Sequence, residues 1–413
     1  MTEIQKMSAE MKEHLLGKMI PFWRSLRDDK LGGWYGYFSY DLEADRDAVK
    51  GCILNSRITW FFANVLLCIR DGLITEADCR AHGYSAGDIR REAEHGCTFL
   101  KERCIDRERG GVYWSLRADG TPEDTTKHTY NQAFSIYALA ACYEAVGDEE
   151  ALELALSVFE LIEEKCTDSA GYLEAFTVDF RPRSNEKLSE NGVMAAKTMN
   201  TLLHVFEAYT LLYQVSREKR VKERLEWILD TFRNRIYNPQ KRRQEVFFDE
   251  NYHSLLDLHS YGHDIETAWL LDRGLEVLGE KEYEERLSPI TRDLTAQIYQ
   301  EAFDGRSLAN ECESGVVNTR RIWWVQAEAV VGFLNGWQKD GRREYLAAAL
   351  SQWEFIKEYV IDGRDGSEWF WEVDEAGRPY PGRPIVEPWK CPYHNGRMCM
   401  EVMRRAEESR NDT

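Results

Sequence analysis

Hydrophobic and polar positions along the chain alternate between two kinds of helical stretch. One kind is amphipathic and highly charged, as over 218–237 and 281–302; the other is apolar around most of its circumference, as over 130–146 and 322–338. A helix with a wet stripe belongs on the outside of a fold, and one that is apolar nearly all round belongs inside. Twelve such segments alternate in order, six of each kind. Between them recur short segments in which aromatic residues sit beside Gly, Asp or Glu, at 31–38, 110–115, 171–176, 245–249 and 368–372, with 304–308 a poorer copy that keeps the Asp and Gly but has no aromatic. These read as β-hairpins or irregular loops, and their spacing of roughly 60–80 residues suits a repeated helix-pair unit.

The pattern predicts an all-α chain: an (α/α)6 barrel of six inner and six outer helices, with short β-hairpins at one mouth. An open helical solenoid satisfies the same periodicity, but neither terminal unit resembles a polar cap. No Pro/Ser-rich linker divides the chain, so residues 1–413 read as one domain. In such a toroid all inner helices run the same way, and functional side chains should collect at their starts.

Composition narrows the partners. A formal net charge of −19 disfavours nucleic acid and anionic membranes. The 13 Trp, 20 Tyr and 17 Phe suit a wide, ring-lined cavity. The ten cysteines include no C-x-x-C pair, so they are expected to be buried, reduced thiols of a cytoplasmic protein. Residues 4–20 lack the apolar core of a signal peptide, and no window approaches ~18 uninterrupted apolar residues. The expected partner is a small molecule, with a monomer as the expected state.

Candidate chemistry gathers where the inner helices begin. The richest start is Ser260-Tyr261-Gly262-His263-Asp264-Ile265-Glu266-Thr267-Ala268-Trp269, where Gly262 is expected to break the chain ahead of a helix. His263, Glu266 and Trp269 follow at steps of three and lean to one side, as a sugar pocket would need, although a capped helix with one polar side has the same pattern. Arg57 is a cation in an apolar run, either the partner of an acidic neighbour or a fork for a carbonyl or enolate oxygen. Tyr130 could donate to a hydroxyl or simply fill the core. Asn200 and His204, four apart, share a face, as do Trp324 and Glu328. Buried Glu328 needs a cation or a ligand hydroxyl as partner. Pro392 suits a first helical turn and puts His394 at another helix start, with Trp389 on the loop before it. The spacing His259-x3-His263-x2-Glu266 offers metal-ligand types, but a break at Gly262 would misalign them, and no metal is expected. There is no phosphate loop and no dinucleotide fingerprint, so no cofactor is expected.

Five stretches in order, 52–57, 197–201, 260–266, 323–328 and 389–397, resemble the N-acylglucosamine 2-epimerase superfamily, most closely its cellobiose 2-epimerase branch. The resemblance runs nearly end to end. It implies an (α/α)6 barrel and cofactor-free interconversion of β-1,4-linked disaccharides epimeric at C2 of the reducing-end sugar, such as cellobiose and lactose. Arg57, His204, His263, Glu266, Trp269, Trp324, Glu328 and His394 match catalytic or essential positions of that family, and Tyr130, Asn200 and Trp389 match sugar-contacting ones. Of these, Trp269, Trp324 and Glu328 are assigned to substrate binding.

Such an epimerisation opens the ring, removes the C2 proton beside C1=O and returns a proton on the other face. Two histidines of ordinary pKa ~6.5 suit that work. His263 and His394 are the expected pair, with Arg57 and His204 on the enediolate oxygens and Glu266 orienting a histidine or a hydroxyl. Rival readings are an aldose–ketose isomerase of the mannose-isomerase kind, an (α/α)6 glycoside hydrolase working through carboxylates, and a sugar-binding protein without turnover.

Overall fold

The computed structural model of the chain describes residues 2–188 and 191–411. Its inner helices are Cys52–Arg70, Thr129–Val146, Met199–Ser216, Tyr261–Leu278, Trp323–Asp340 and Tyr393–Asn411, called first to sixth below. Each packs on the two beside it, and the sixth returns to the first, which excludes the open solenoid. Outside them lie Glu3–His14, Ala86–Phe99, Glu149–Lys165, Lys219–Thr231, Lys281–Glu301 and Arg343–Phe355. The first five inner helices each pack on the outer helix that follows, and the sixth takes Glu3–His14 as its outer partner. The fold is the (α/α)6 barrel that the periodicity predicts.

Sharp reversals make the inner and outer helices antiparallel. Gly147, Gly279 and Gly341 end the second, fourth and fifth inner helices in the left-handed conformation (φ 76°, 70° and 69°), and Arg217 does so for the third (φ 56°). That conformation ties off the last free carbonyls and turns the chain within a few residues. The first inner helix has the length and apolarity of a bilayer span, yet 94% of that stretch is buried inside the fold. It is apolar all round because other helices surround it.

A second repeat holds the helix starts in place. After an outer helix, an aspartate accepts two backbone N–H groups of the following turn through one oxygen and clasps a buried cation through the other. Asp28 holds Lys50 at 2.7 Å, Asp106 holds Lys127 at 2.9 Å, and Asp168 holds Lys197 at 2.6 Å. Asp304 holds Arg321 in the same way at 2.7 Å. Each of these cations sits two residues ahead of its inner helix. In the sixth unit the role is divided: Asp362 makes the turn, accepting the Arg364 N–H at 3.0 Å, and Glu368 binds Lys390 at 2.7 Å. The fourth unit departs: Asn238 makes the turn, and His259 stands in the cation position between Asp264 (2.9 Å) and Glu301 (3.3 Å). The strands leading into the inner helices pair with hairpins of the next unit, for example Leu258–Ser260 with Glu311–Glu313, so the mouth is laced round by short ladders. In the fifth segment the hairpin is Glu311–Glu313 with Val316–Asn318, just beyond the stretch 304–308 expected to form it.

Two sequence expectations need correction. Cys97 and Cys142 are joined by a disulfide between the second outer and second inner helices, with Cα atoms 6.2 Å apart, so not all ten thiols are reduced. The other eight are free, and seven of them are buried. Gly262 does not break the chain: the fourth inner helix already begins at Tyr261. Glycine is there because a Cβ would lie 2.6 Å from the Trp324 ring and 2.7 Å from Val325.

Candidate active site

The mouth opens into a cavity of about 440 Å³ lined by Arg57, Tyr130, Asn200, His204, His263, Glu266, Trp324, Trp389 and His394, together with Trp323, Trp371, Arg383 and Glu387 among others. Every inner helix contributes, because each projects its first turns toward the same end. The His263 and His394 rings both pack against the Trp324 indole, at centroid distances of 4.7 and 5.4 Å.

All three histidines here are held as neutral bases. Burial brings His263 down to about 3 and also lowers His204 and His394, with the Arg397 and Arg57 charges adding to the effect on His394. Their Nδ1 atoms are engaged: His204 with Glu207 at 2.9 Å, His394 with Glu328 at 2.7 Å, and His263 with the Ser260 hydroxyl at 2.6 Å. A carboxylate on Nδ1 fixes the tautomer that leaves Nε2 as the basic atom. Among the described residues none of the three Nε2 atoms has a hydrogen-bond partner in the protein.

Arg57 is 2% exposed and has no carboxylate partner among the described residues. Its Nη2 donates to the Tyr130 hydroxyl at 2.7 Å, and its guanidinium lies over the rings of Phe134 (4.2 Å) and Tyr393 (4.9 Å). This is not the ion pair of an ordinary structural arginine. Four buried polar atoms of cavity-lining residues are also unpartnered: Arg57 Nε, Asn200 Oδ1, Glu266 Oε2 and Trp323 Nε1. Folded proteins satisfy nearly all buried polar atoms, so a cluster of exceptions marks where a polar ligand goes.

Beneath the cavity lies a layer built on Arg397. Its guanidinium binds Glu266 at 2.5 Å, Glu328 at 2.6 Å and also Glu207, while Tyr393 donates to Glu207. Burial would raise Glu207, but Arg397 and His204 bring it down to about 2. Glu266 goes the other way: burial and then the Glu328 charge push it well above the usual carboxylate range. It therefore favours the protonated acid, with its second oxygen unspent.

Trp269 and Glu328, assigned to substrate binding from the sequence, lie in this lower layer and do not line the cavity. The Trp269 indole donates to Glu328 at 2.9 Å and borders a separate cavity of about 830 Å³ at the far end of the barrel. Glu328 reaches His394 instead of the open space. Glu266 does not orient a histidine by hydrogen bond, since His394 Nδ1 is 3.8 Å from it. The sequence reading missed Ser260, Glu207, Tyr393 and Arg397 as contributors. Glu207 could have been found, being three residues beyond His204 on one face. The atoms of Glu266, Glu328 and His394 cluster within 4.8 Å, as a metal site would need, but the Arg397 guanidinium already bridges both carboxylates. His259 faces Asp264 and Glu301, so it does not join His263 and Glu266 in a ligand set.

Fold and cavity together define a helical toroid that gathers neutral imidazoles, a buried arginine and aromatic rings around a cavity at one mouth. The chain belongs to the N-acylglucosamine 2-epimerase (GlcNAc 2-epimerase) family, whose model matches residues 77–395. It is 48% identical over 408 residues to a cellobiose 2-epimerase of Eubacterium cellulosolvens, covering 95% of this chain and 97% of that one. The crystal structure of a sugar epimerase from a ruminal bacterium superposes with a TM-score of 0.91 at 46% identity, over 97% of this chain and 99% of that one. A D-mannose isomerase of Thermobifida fusca is more distant, 23% identical over 70% of this chain and 73% of its own.

Proposed function

We propose that the chain is a cellobiose 2-epimerase. It interconverts cellobiose with 4-O-β-D-glucosyl-D-mannose, and lactose with epilactose, without a metal or organic cofactor. The observation that carries this reading is the convergence of neutral His263 and His394 on one indole, beside a buried arginine with no carboxylate partner. One imidazole takes the C2 proton of the ring-opened aldose through Nε2. The electron pair left on C2 delocalises to O1 as a cis-enediolate, and Arg57 and Tyr130 stabilise the oxygens. The other imidazole took the anomeric hydroxyl's proton as the ring opened, while the acid form of Glu266 gave one to the ring oxygen. That imidazole delivers its proton to C2 from the opposite face, which inverts the centre and restores the aldehyde; ring closure returns the protons. His204 supports the oxygens from the side, Glu266 in its acid form donates to a sugar oxygen, and Asn200 receives a hydroxyl. Trp324 and Trp389 cover sugar faces. The outer part of the cavity, around Trp371, Arg383 and Glu387, takes the non-reducing sugar.

Proton NMR of cellobiose incubated with the purified protein in deuterated water tests this. The expected product is the mannose epimer with deuterium at C2, formed without added metal or nucleotide, and the yield should collapse in His263→Ala and in His394→Ala. A ketose as main product points to an aldose–ketose isomerase, and free monosaccharides to a hydrolase. Near-normal epimer yield from either variant ends the histidine-pair assignment.

A further inference from the structure

We propose that Ser260 is a positioning residue for His263, its hydroxyl allowing that imidazole to present Nε2 either as a base or as an acid. The inference rests on the acid–base reading of His263 and adds the group that governs it. Ser260 is the last residue of the strand Leu258–Ser260 and the N-cap of the fourth inner helix. A serine in that place ordinarily accepts a backbone N–H from the first turn. Here its side chain makes no cap bond and instead lies 2.6 Å from His263 Nδ1. The fold does use capping at the equivalent point elsewhere: Thr198, N-cap of the third inner helix, accepts the Thr201 N–H at 3.0 Å. The Ser260 hydroxyl has thus been diverted from the backbone to the imidazole, at the edge of the cavity.

The chemistry of the two kinds of partner differs. The carboxylates on His204 and His394 only accept, so they hold Nδ1–H and leave Nε2 basic. A hydroxyl has one donor and two lone pairs and turns to suit. When it accepts from Nδ1–H, Nε2 carries the lone pair that takes the C2 proton. When Nε2 has gained a proton the hydroxyl still accepts from Nδ1–H, and the imidazolium delivers that proton from Nε2 to C2 and returns to the neutral base. The pair shares one such proton: the protonated imidazole delivers while the neutral one accepts, and the roles exchange according to which epimer enters. An uncharged partner therefore lets His263 give the proton up as readily as take it.

Ser260→Ala and Ser260→Thr, assayed from each epimer in deuterated water with His263→Ala alongside, provide the test. In Ser260→Ala, kcat is expected to fall about 10-fold or more from either epimer with KM changed less than about twofold. Ser260→Thr keeps the hydroxyl and should recover most of the loss. Unchanged kcat in Ser260→Ala, a change confined to KM, or equal impairment of the Thr variant would overturn the inference. A fully active His263→Ala would instead overturn the acid–base reading itself.

Discussion

His263 and His394 approach the cavity from the starts of the fourth and sixth inner helices, and their surroundings could hardly differ more. His394 rests on Glu328, which shares the Arg397 guanidinium with Glu266. His263 rests on a serine hydroxyl and has no carboxylate at hydrogen-bonding distance. An imidazolium formed at His394 meets a ready counter-charge, whereas one formed at His263 does not. The lesson is that two side chains of one type, brought to one carbon, need not be interchangeable: the second layer gives one a charged partner and the other a neutral one.

The largest effect should come from removing the counter-charge. Glu328→Gln keeps the shape and an acceptor oxygen but loses the charge beside His394 Nδ1, and kcat should drop about 10²–10⁴-fold with KM little changed, as initial rates on cellobiose would register. Arg57→Lys leaves a charge but not the fork, and the expected loss is about 10²–10³-fold in kcat. Gly262→Ala acts first on the His263 side: the added methyl must displace the helix start or Trp324, whose ring also touches His394. A turnover loss of up to about 10²-fold is expected, because reactive geometry tolerates little displacement.

The pH profile sharpens the comparison. With His263 near 3 rather than the ordinary 6.5, the acid limb of kcat/KM set by these bases should lie well below 6.5. Because its folded value lies below its unfolded one, the stability tied to neutral His263 is complete above about 6.5 and is lost as pH falls toward 3. Denaturant titrations of wild type and His263→Asn across that range would isolate it, the variant losing less stability on acidification. The smallest effect on turnover is expected for Lys50→Met in the first unit. It strands Asp28 and should cost about 3–5 kcal/mol of stability by denaturant titration, while the folded protein keeps its kcat.

The barrel was legible because burial on every side leaves an unmistakable mark: Cys52–Arg70 carries apolar residues around its whole circumference, while the charged stretch 218–237 keeps a wet stripe. The site was legible as far as helix starts could be located, and the motif resemblance supplied the same positions. Depth was not legible. Steps of three keep residues on one face but also advance along the axis, so Trp269 lies about 9 Å further down the barrel than His263. Glu328 sinks below Trp324 for the same reason. Arg397 stood in a recognised motif, yet nothing local said that it would gather three carboxylates from three other helices. The disulfide escaped because its partners are 45 residues apart and belong to different layers. Gly262 misled because a glycine required by a neighbouring ring looks, in one dimension, like one required by a turn.

The common direction of the six inner helices has an electrical consequence. Each carries the equivalent of roughly half a positive charge at its start and half a negative charge at its end. Six parallel dipoles therefore turn the mouth into a region that welcomes an oxyanion and resists an extra proton on an imidazole. At the opposite end the far cavity collects the negative poles, and its wall carries Arg70, Arg273, Lys339, Arg404 and Arg405 interleaved with the carboxylates of Asp71, Glu144, Glu276, Glu401 and Glu408. The barrel is polarised along its axis before any side chain at the mouth contributes, so an enediolate is favoured by the architecture as well as by Arg57.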